Sequence, residues 1–251
     1  RALVLLASMI QVFLVANTIS YSVAISACQK AAKWQAALGL LAAMQHVDLA
    51  PNTITYSAVI SACANGTQWQ RAIMLLAAMQ HAILVPNCIS YNAAITACEK
   101  VALWQTAVAL LHAIGCVVLE ASTVSYTAAI SACGKAAEWQ QALALFAAMD
   151  RIILETNAPC FNSAVSACEK GVEWQRGLIK FAAMGSAGLA PNNISFNAAI
   201  SACEKGSEWQ TALPLFAGMG WALLVPDAVS YNAAVSSCEK GAEWQRALHI
   251  I

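Results

Sequence analysis

Apolar and polar positions recur along this chain with a strict period of 35 residues. Numbering the columns of one unit 1 to 35 puts column 1 at Thr18, Thr53, Cys88, Thr123, Ala158, Asn193 and Ala228. In the first unit, columns 2, 4, 7, 8 and 11 are Ile19, Tyr21, Ala24, Ile25 and Cys28, which is helical spacing and not the alternation of a strand. A second stripe follows at Trp34, Ala37, Leu38, Leu41 and Met44, one face of another helix. The phrase ISYSVAISACQK at Ile19 returns six times, as ITYSAVISACAN, ISYNAAITACEK, VSYTAAISACGK, PCFNSAVSACEK, ISFNAAISACEK and VSYNAAVSSCEK. Trp34, Trp69, Trp104, Trp139, Trp174, Trp209 and Trp244 keep the same step. A fixed period of this length marks stacked units, each touching only its neighbours.

The boundaries of the two helices are also written in the repeat. Column 35 holds Asn17, Asn52, Asn87, Ser122, Asn157, Asn192 and Asp227, all residues whose side chains cap a free amide of the next first turn. Pro159 falls in a first turn, where proline is tolerated. Gly66, Gly171, Gly206 and Gly241 sit at column 14, near the break between the helices, and Pro51, Pro86, Pro191 and Pro226 close the link to the next unit. Pro214 lies inside a second helix, where a kink is expected. One hairpin cannot bury both stripes, so stacking must join the Trp, Met, Leu and Tyr columns into a core. Core packing is preferred to cation–π stacking for the tryptophans. The expected fold is an all-α solenoid of helix–turn–helix hairpins forming one array over residues 1–251. It has full repeats at 18–52, 53–87, 88–122, 123–157, 158–192 and 193–227, with partial ones at 1–17 and 228–251. Arg1 aligns with Arg71, Arg176 and Arg246, so the chain is expected to be a section of a longer array.

Composition changes this picture little. The formal net charge is zero, so no bulk basicity announces a polyanionic partner. The mean hydropathy of +0.61 raises the question of a membrane span. Residues 2–16 are broken by Ser8 and Gln11, residues 107–119 are shorter and carry His112, and neither reaches the length of a span. Seven of the ten cysteines (Cys28, Cys63, Cys98, Cys133, Cys168, Cys203, Cys238) occupy column 11. On stacked helices such neighbours stand about 8–10 Å apart, too far to bridge, so they read as small buried thiols. No Cys or His spacing suits zinc, and no cofactor is implied. His46, His81, His112 and His249 lie on second helices or their ends, away from acidic or cysteine clusters, so no catalytic group is assigned.

Columns 2, 5, 9 and 13 fall within an arc of about 80° on the first helix and form a separate stripe. Column 2 is apolar throughout: Ile19, Ile54, Ile89, Val124, Pro159, Ile194 and Val229. Column 9 is hydroxylic, with Ser26, Ser61, Thr96, Ser131, Ser166, Ser201 and Ser236. Column 13 is Lys30, Lys100, Lys135, Lys170, Lys205 and Lys240, broken by Asn65, and takes six of the eight lysines in the chain. A line of one sign can track a polyanion even on a neutral protein. Column 5 varies within a polar set: Ser22, Ser57, Asn92, Thr127, Asn162, Asn197 and Asn232. One such side chain per unit suits a modular reading of single-stranded RNA. The bland alternative is solvated polar filler, and for column 35 simple helix capping; capping and base contact are compatible.

The 35-residue step and the phrasing (V/I)-S-Y-N-x-x-I-x-x-C-x-K…A-L-x-L-F-x-x-M…P-(D/N) resemble the pentatricopeptide repeat family, in its P-type form of unbroken 35-residue units. The resemblance implies a right-handed superhelix that binds single-stranded RNA, one nucleotide per repeat, with the 5′ end toward the N-terminus. It implies that the column 2 residues sandwich bases, columns 5 and 35 select them, and the column 13 lysines lie near phosphate. The family code then reads Ser22/Asn52 as A, Ser57/Asn87 as A, Asn92/Ser122 as C and Thr127/Asn157 as A. Asn162/Asn192 reads as C or U, Asn197/Asp227 as U, and Asn232 alone as a pyrimidine. The implied core is 5′-AACA(C/U)U-3′, and membership implies a mitochondrial or plastid setting. Glu99, Glu169, Glu204 and Glu239 stand beside the lysines and are expected to weaken their field, leaving about six phosphate contacts at most. Columns 25 and 26 are nearly all alanine, as at Ala42–Ala43 and Ala147–Ala148. That outer face suits a second class of function, a non-catalytic scaffold holding protein partners within a ribonucleoprotein.

Overall fold

The computed structural model describes residues 16–116, 119–152 and 154–250, and the described residues contain helices and no strand. The partial repeat ahead of residue 16, the candidate apolar span within it and the side chain of His249 lie outside this description. The first helices are α1 (Thr18–Lys30), α3 (Thr53–Asn65), α5 (Cys88–Lys100), α7 (Thr123–Lys135), α9 (Ala158–Lys170), α11 (Asn193–Lys205) and α13 (Ala228–Lys240). The second helices are α2 (Trp34–His46), α4 (Trp69–His81), α6 (Trp104–Cys116), α8 (Trp139–Arg151), α10 (Trp174–Ser186), α12 (Trp209–Trp221) and α14 (Trp244–Ile250). Thus every first helix occupies columns 1–13 and every second helix begins at the tryptophan. The hairpin repeat read from the sequence is the fold.

Local chemistry sets these limits. Asn17, Asn52, Asn87, Asn157, Asn192 and Asp227 each stand in extended backbone, and each side chain accepts a hydrogen bond from the amide three residues on. Ser122 does the same less closely, accepting from the Ser125 amide at 3.4 Å. The turn between helices is made at column 15, where Ala32, Thr67, Ala102, Ala137, Val172, Ser207 and Ala242 all have φ between 52° and 63°. The column 14 glycines are not the left-handed residues: Gly66, Gly171, Gly206 and Gly241 have φ from −85° to −77°. Their reason is contact. A Cβ on Gly241 would lie 2.1 Å from Trp209, and one on Gly66 2.2 Å from Trp34, each the tryptophan of the preceding repeat. Helix α12 continues from Trp209 to Trp221 through Pro214, which faces solvent.

The chain forms two compact units, Arg1–Ala128 and Ala129–Ile251, the division falling within α7. In the first unit α1, α3 and α5 pack side by side, and each second helix packs on its own first helix and, for α2 and α4, on the next. The second unit repeats this with α9, α11 and α13 inside the sequence α8 to α14. Buried columns coincide with the apolar stripes. Ile25, Ile60, Ile95, Ile130 and Ile200, and Met44, Met79, Met149, Met184 and Met219, are essentially inaccessible. In the second unit edge-to-face pairs Phe146–Phe161, Phe181–Phe196 and Phe216–Tyr231, at 4.8–5.0 Å, join each second helix to the following first helix. The seven column 11 cysteines are buried thiols, and burial raises Cys63, Cys98, Cys133, Cys168 and Cys203 to about 11.

The tryptophan column differs from the expectation. Trp34, Trp69, Trp104, Trp139, Trp174 and Trp209 are only half-buried, and Trp244 is exposed. The guanidinium groups of Arg71, Arg176 and Arg246 lie over Trp34, Trp139 and Trp209 at 4.7, 4.8 and 4.5 Å. The column therefore seals the rim between neighbouring repeats. Trp34, Trp139, Trp174 and Trp209 each meet the column 14 glycine of the next repeat, and Trp34, Trp139 and Trp209 also meet a cation.

Candidate nucleic-acid interface

The capped N-terminal turn of each first helix carries an apolar side chain that the fold does not bury. Column 2 is exposed in every repeat, from 55% at Val229 to 71% at Ile19, and Pro159 is exposed with the rest. Seven exposed aliphatics at one register are not required by packing, since the buried stripe passes through the neighbouring columns 4, 7, 8 and 11. Pro159 suits the position because it needs no amide there.

Column 5 lies one turn further along, and the next repeat's cap meets it. Asn197 Nδ2 donates to both carboxylate oxygens of Asp227 at 3.1 and 3.2 Å. Asn92 Nδ2 donates to Ser122 Oγ at 3.3 Å, and Ser57 Oγ lies 3.3 Å from Asn87 Oδ1. Ser22 is linked to Asn52 through Thr55, whose hydroxyl lies 2.9 Å from each. Asn162 is linked to Asn192 through Ser195, at 2.7 and 3.0 Å. Asn232 is exposed. Thr127 donates to the Thr123 carbonyl at 2.7 Å, while Asn157 caps α9 in the second unit. Five of the six pairs named as base-selecting are thus brought together, three directly and two through a column 3 hydroxyl, although their members are 30 residues apart in sequence. Column 35 caps its helix as well.

Asp227 also sets the electrostatics of its site. The Ser230 amide, with the Asn197 amide beside it, holds its carboxyl below the usual aspartate value, so it is an anionic acceptor at neutral pH. An acceptor-only group suits a base edge that presents an N–H, as uracil and guanine do, and disfavours adenine or cytosine, whose ring nitrogen there is itself an acceptor.

The column 13 lysines are all at the surface, but their surroundings are unequal. Lys205 Nζ lies 2.9 Å from Glu169 Oε1 and Lys240 Nζ 2.9 Å from Glu204 Oε1, each pairing with the acid one repeat earlier. Lys100 donates to the Ala64 carbonyl at 2.9 Å, at the negative end of α3. At the equivalent place ahead of Lys170 stands Gly134 in place of an acid. There a cleft of about 240 Å³ opens, lined by Ile194 of column 2, Asn162 of column 5, Ser131 and Ser166 of column 9, and Lys135 and Lys170 of column 13, together with Gly134 and Ser163. All four columns of the stripe meet in it, and no carboxylate lines it.

Reading columns 2, 5, 9 and 13 passed over column 3, which holds Ser20, Thr55, Ser90, Ser125, Cys160, Ser195 and Ser230. Ser90, Ser125, Ser195 and Ser230 are buried yet hydrogen-bonded to the column 5 residue of the preceding repeat. A hydroxyl kept at one register, with a single cysteine departure, was the visible signal.

Among the described residues no group of His, Cys, Asp and Glu is placed to hold a metal ion, and no helix is long and apolar enough to cross a membrane.

Sequence models of the PPR repeat family match residues 16–65, and models of the PPR repeat match 54–82 and 124–152. Residues 16–82 and 124–152 are thus pentatricopeptide repeats, and the 35-residue phrase and hairpin fold continue through the repeats between and after them. Among solved structures, the pentatricopeptide repeat protein PPR10 from maize superposes with a TM-score of 0.67 at 20% identity, over 93% of this chain and 33% of that one. PPR10 in complex with an 18-nt psaJ RNA element gives 0.55 at 21% identity, over 94% of this chain and 39% of that one. The PPR domain of Arabidopsis thaliana protein-only RNase P 1, in complex with tRNA, gives 0.54 at 15% identity, over 62% and 83%. This chain therefore spans about a third of the maize chain it resembles. No curated protein matches it by sequence.

Proposed function

We propose that this chain is a sequence-selective module for single-stranded RNA, without catalysis of its own, taking one nucleotide per repeat with the 5′ end toward its N-terminus. The observation that carries it is the cleft of the second unit, where an exposed aliphatic, an amide, hydroxyls and two lysines converge. Those are the groups a nucleotide needs: an apolar plate for the base face, a hydrogen-bonding edge, and cations for phosphate. Ile19, Ile54, Ile89, Val124, Pro159, Ile194 and Val229 are the plates. The column 5 and 35 pairs select bases, and the column 13 lysines meet the backbone. Family relatives solved with RNA support the general activity. The proposed core is 5′-AACA(C/U)U-3′, and the setting is organellar RNA processing, stability or translation in a mitochondrion or plastid.

Titration with AACACU and with scrambled RNAs at several salt concentrations tests this, with preference for the first as the expected outcome. Asn157→Asp supplies the sharper arm. An acceptor-only side chain at column 35 should move the fourth base from A to G while the other positions keep their preference. Equal affinity for all sequences, or a fourth-base preference that stays on A, overturns the assignment.

A second reading, a scaffold that holds protein partners, is favoured by one feature. Trp221, Leu223 and Val225 are 88%, 93% and 81% exposed around the end of α12. Absence of RNA binding at low salt would favour it.

A further inference from the structure

We infer that the column 3 hydroxyl is a positioning residue for base selection, one that fixes which end of the column 5 amide faces the RNA. This deepens the RNA-reading proposal above and rests on it.

The observation is a relay found at Asn92, Asn162 and Asn197 of column 5. The backbone N–H of the column 35 residue donates to the column 3 oxygen: Ser122 to Ser125 at 3.1 Å, Asn192 to Ser195 at 3.2 Å, and Asp227 to Ser230 at 3.2 Å. A serine hydroxyl has one proton to give. Its shortest acceptor in all three cases is the Oδ1 of the preceding repeat's column 5 amide. Ser125 donates to Asn92 at 2.5 Å, Ser195 to Asn162 at 2.7 Å, and Ser230 to Asn197 at 2.6 Å. The alternative acceptors within the caps lie at 3.0 Å or beyond, as Asn192 does from Ser195 and Asp227 from Ser230.

Direction follows from this. An amide is a donor at one end and an acceptor at the other, and free to rotate it would satisfy either kind of base edge. With Oδ1 held by a buried hydroxyl, only Nδ2 is left for the ligand. At Asn197 that nitrogen also donates to Asp227, which keeps one of its two hydrogens for the base. Column 5 asparagine is thereby presented as a donor, and it favours a base with an acceptor at that place. Where column 5 is serine, its hydroxyl donates to the helix backbone, Ser22 to Thr18 and Ser57 to Thr53, and the column 3 hydroxyls Thr55 and Ser90 lie 2.9 and 2.8 Å from it. Threonine at Thr55 makes the same contacts as serine, so the hydroxyl and not the residue is what counts.

The test is Ser230→Ala beside Ser230→Thr, with affinities measured for RNAs that differ only at the nucleotide assigned to Asn197. The unmodified chain should prefer U there. Ser230→Ala should lower that preference by about tenfold, the order of one charge-free hydrogen bond and its orientation, while the preference at the nucleotide of Asn92 stays. Ser230→Thr should restore it. The Ser230 backbone amide still donates to Asp227 in both variants, so the cap survives, and thermal melts check this. The Asn197 side-chain amide resonance in an NMR spectrum without RNA gives an independent readout, and should shift in the alanine variant alone. Unchanged discrimination and an unchanged resonance in Ser230→Ala overturn the orienting role. No preference at that nucleotide in the unmodified chain overturns the base-reading itself, and this role with it.

Discussion

At the scale of single residues, the column 11 cysteines show how burial fixes chemistry. Cys63, Cys98, Cys133, Cys168 and Cys203 have no accessible surface, and desolvation of the thiolate raises each from 9.0 to about 11. The folded chain therefore holds protons that the unfolded chain releases as pH rises past 9. The stability these thiols contribute is complete below pH 9 and declines between about 9 and 11. At pH 8 a thiol reagent should label exposed Cys116 rapidly and half-buried Cys88 more slowly, and should reach the column 11 thiols only in denaturant. Rapid native labelling of Cys168 would contradict the buried assignment. This column was legible in the sequence because a small residue every 35 positions on an apolar stripe has one physical explanation. The column 3 hydroxyls were not legible as more than capping, because their second partner lies 33 residues earlier, across a contact that only stacking creates.

At the scale of the helix, one substitution follows from comparing repeats. In column 20, Ala37, Ala72, Ala107, Ala142 and Ala212 are each fully buried, while α10 has Gly177 at that place. A Cβ there would meet Cys168 at 3.4 Å and Ala202 at 3.7 Å, ordinary contacts. Gly177→Ala should therefore stabilise the second unit by about 0.5–1 kcal/mol, through helix propensity and the smaller entropy of the unfolded chain. A chemical-denaturation midpoint that falls on this change would show that the site is tighter than its distances. The contrast with column 14 is instructive. There a Cβ would enter the Trp174 or Trp209 ring, at 2.4 and 2.1 Å, so glycine is retained for space. Helix existence, caps and boundaries were legible because each is local, resting on columns 35, 1 to 13 and 17 onward. The role of the glycines was not, because the tryptophan that excludes a side chain belongs to another repeat. The half-burial of the tryptophans was hidden for the same reason: a helical stripe says which face packs, but not how far its edge stands from solvent.

At the scale of the whole molecule, neutrality is distributed rather than uniform, and this governs salt dependence. If all six column 13 lysines met phosphate, releasing counterions from a single strand would give a log–log salt slope of about −4. Lys205 and Lys240 are already paired with Glu169 and Glu204 at 2.9 Å, so a phosphate must compete with a carboxylate at those two places. These pairs are exposed enough that each adds little to stability, and their effect on an approaching polyanion is the larger one. Competition at those two places should make the slope shallower than this limit. Glu169→Gln then makes a specific prediction. It removes the acid facing Lys205 and leaves the column 2, 5 and 35 residues untouched. Affinity for AACACU should rise severalfold at low salt, the slope should steepen by about 0.7, and base preference should stay the same because phosphate contacts carry no sequence information. An unchanged slope would mean that Lys205 does not meet the RNA backbone. A changed base preference would place Glu169 at the base edge instead of beside the strand.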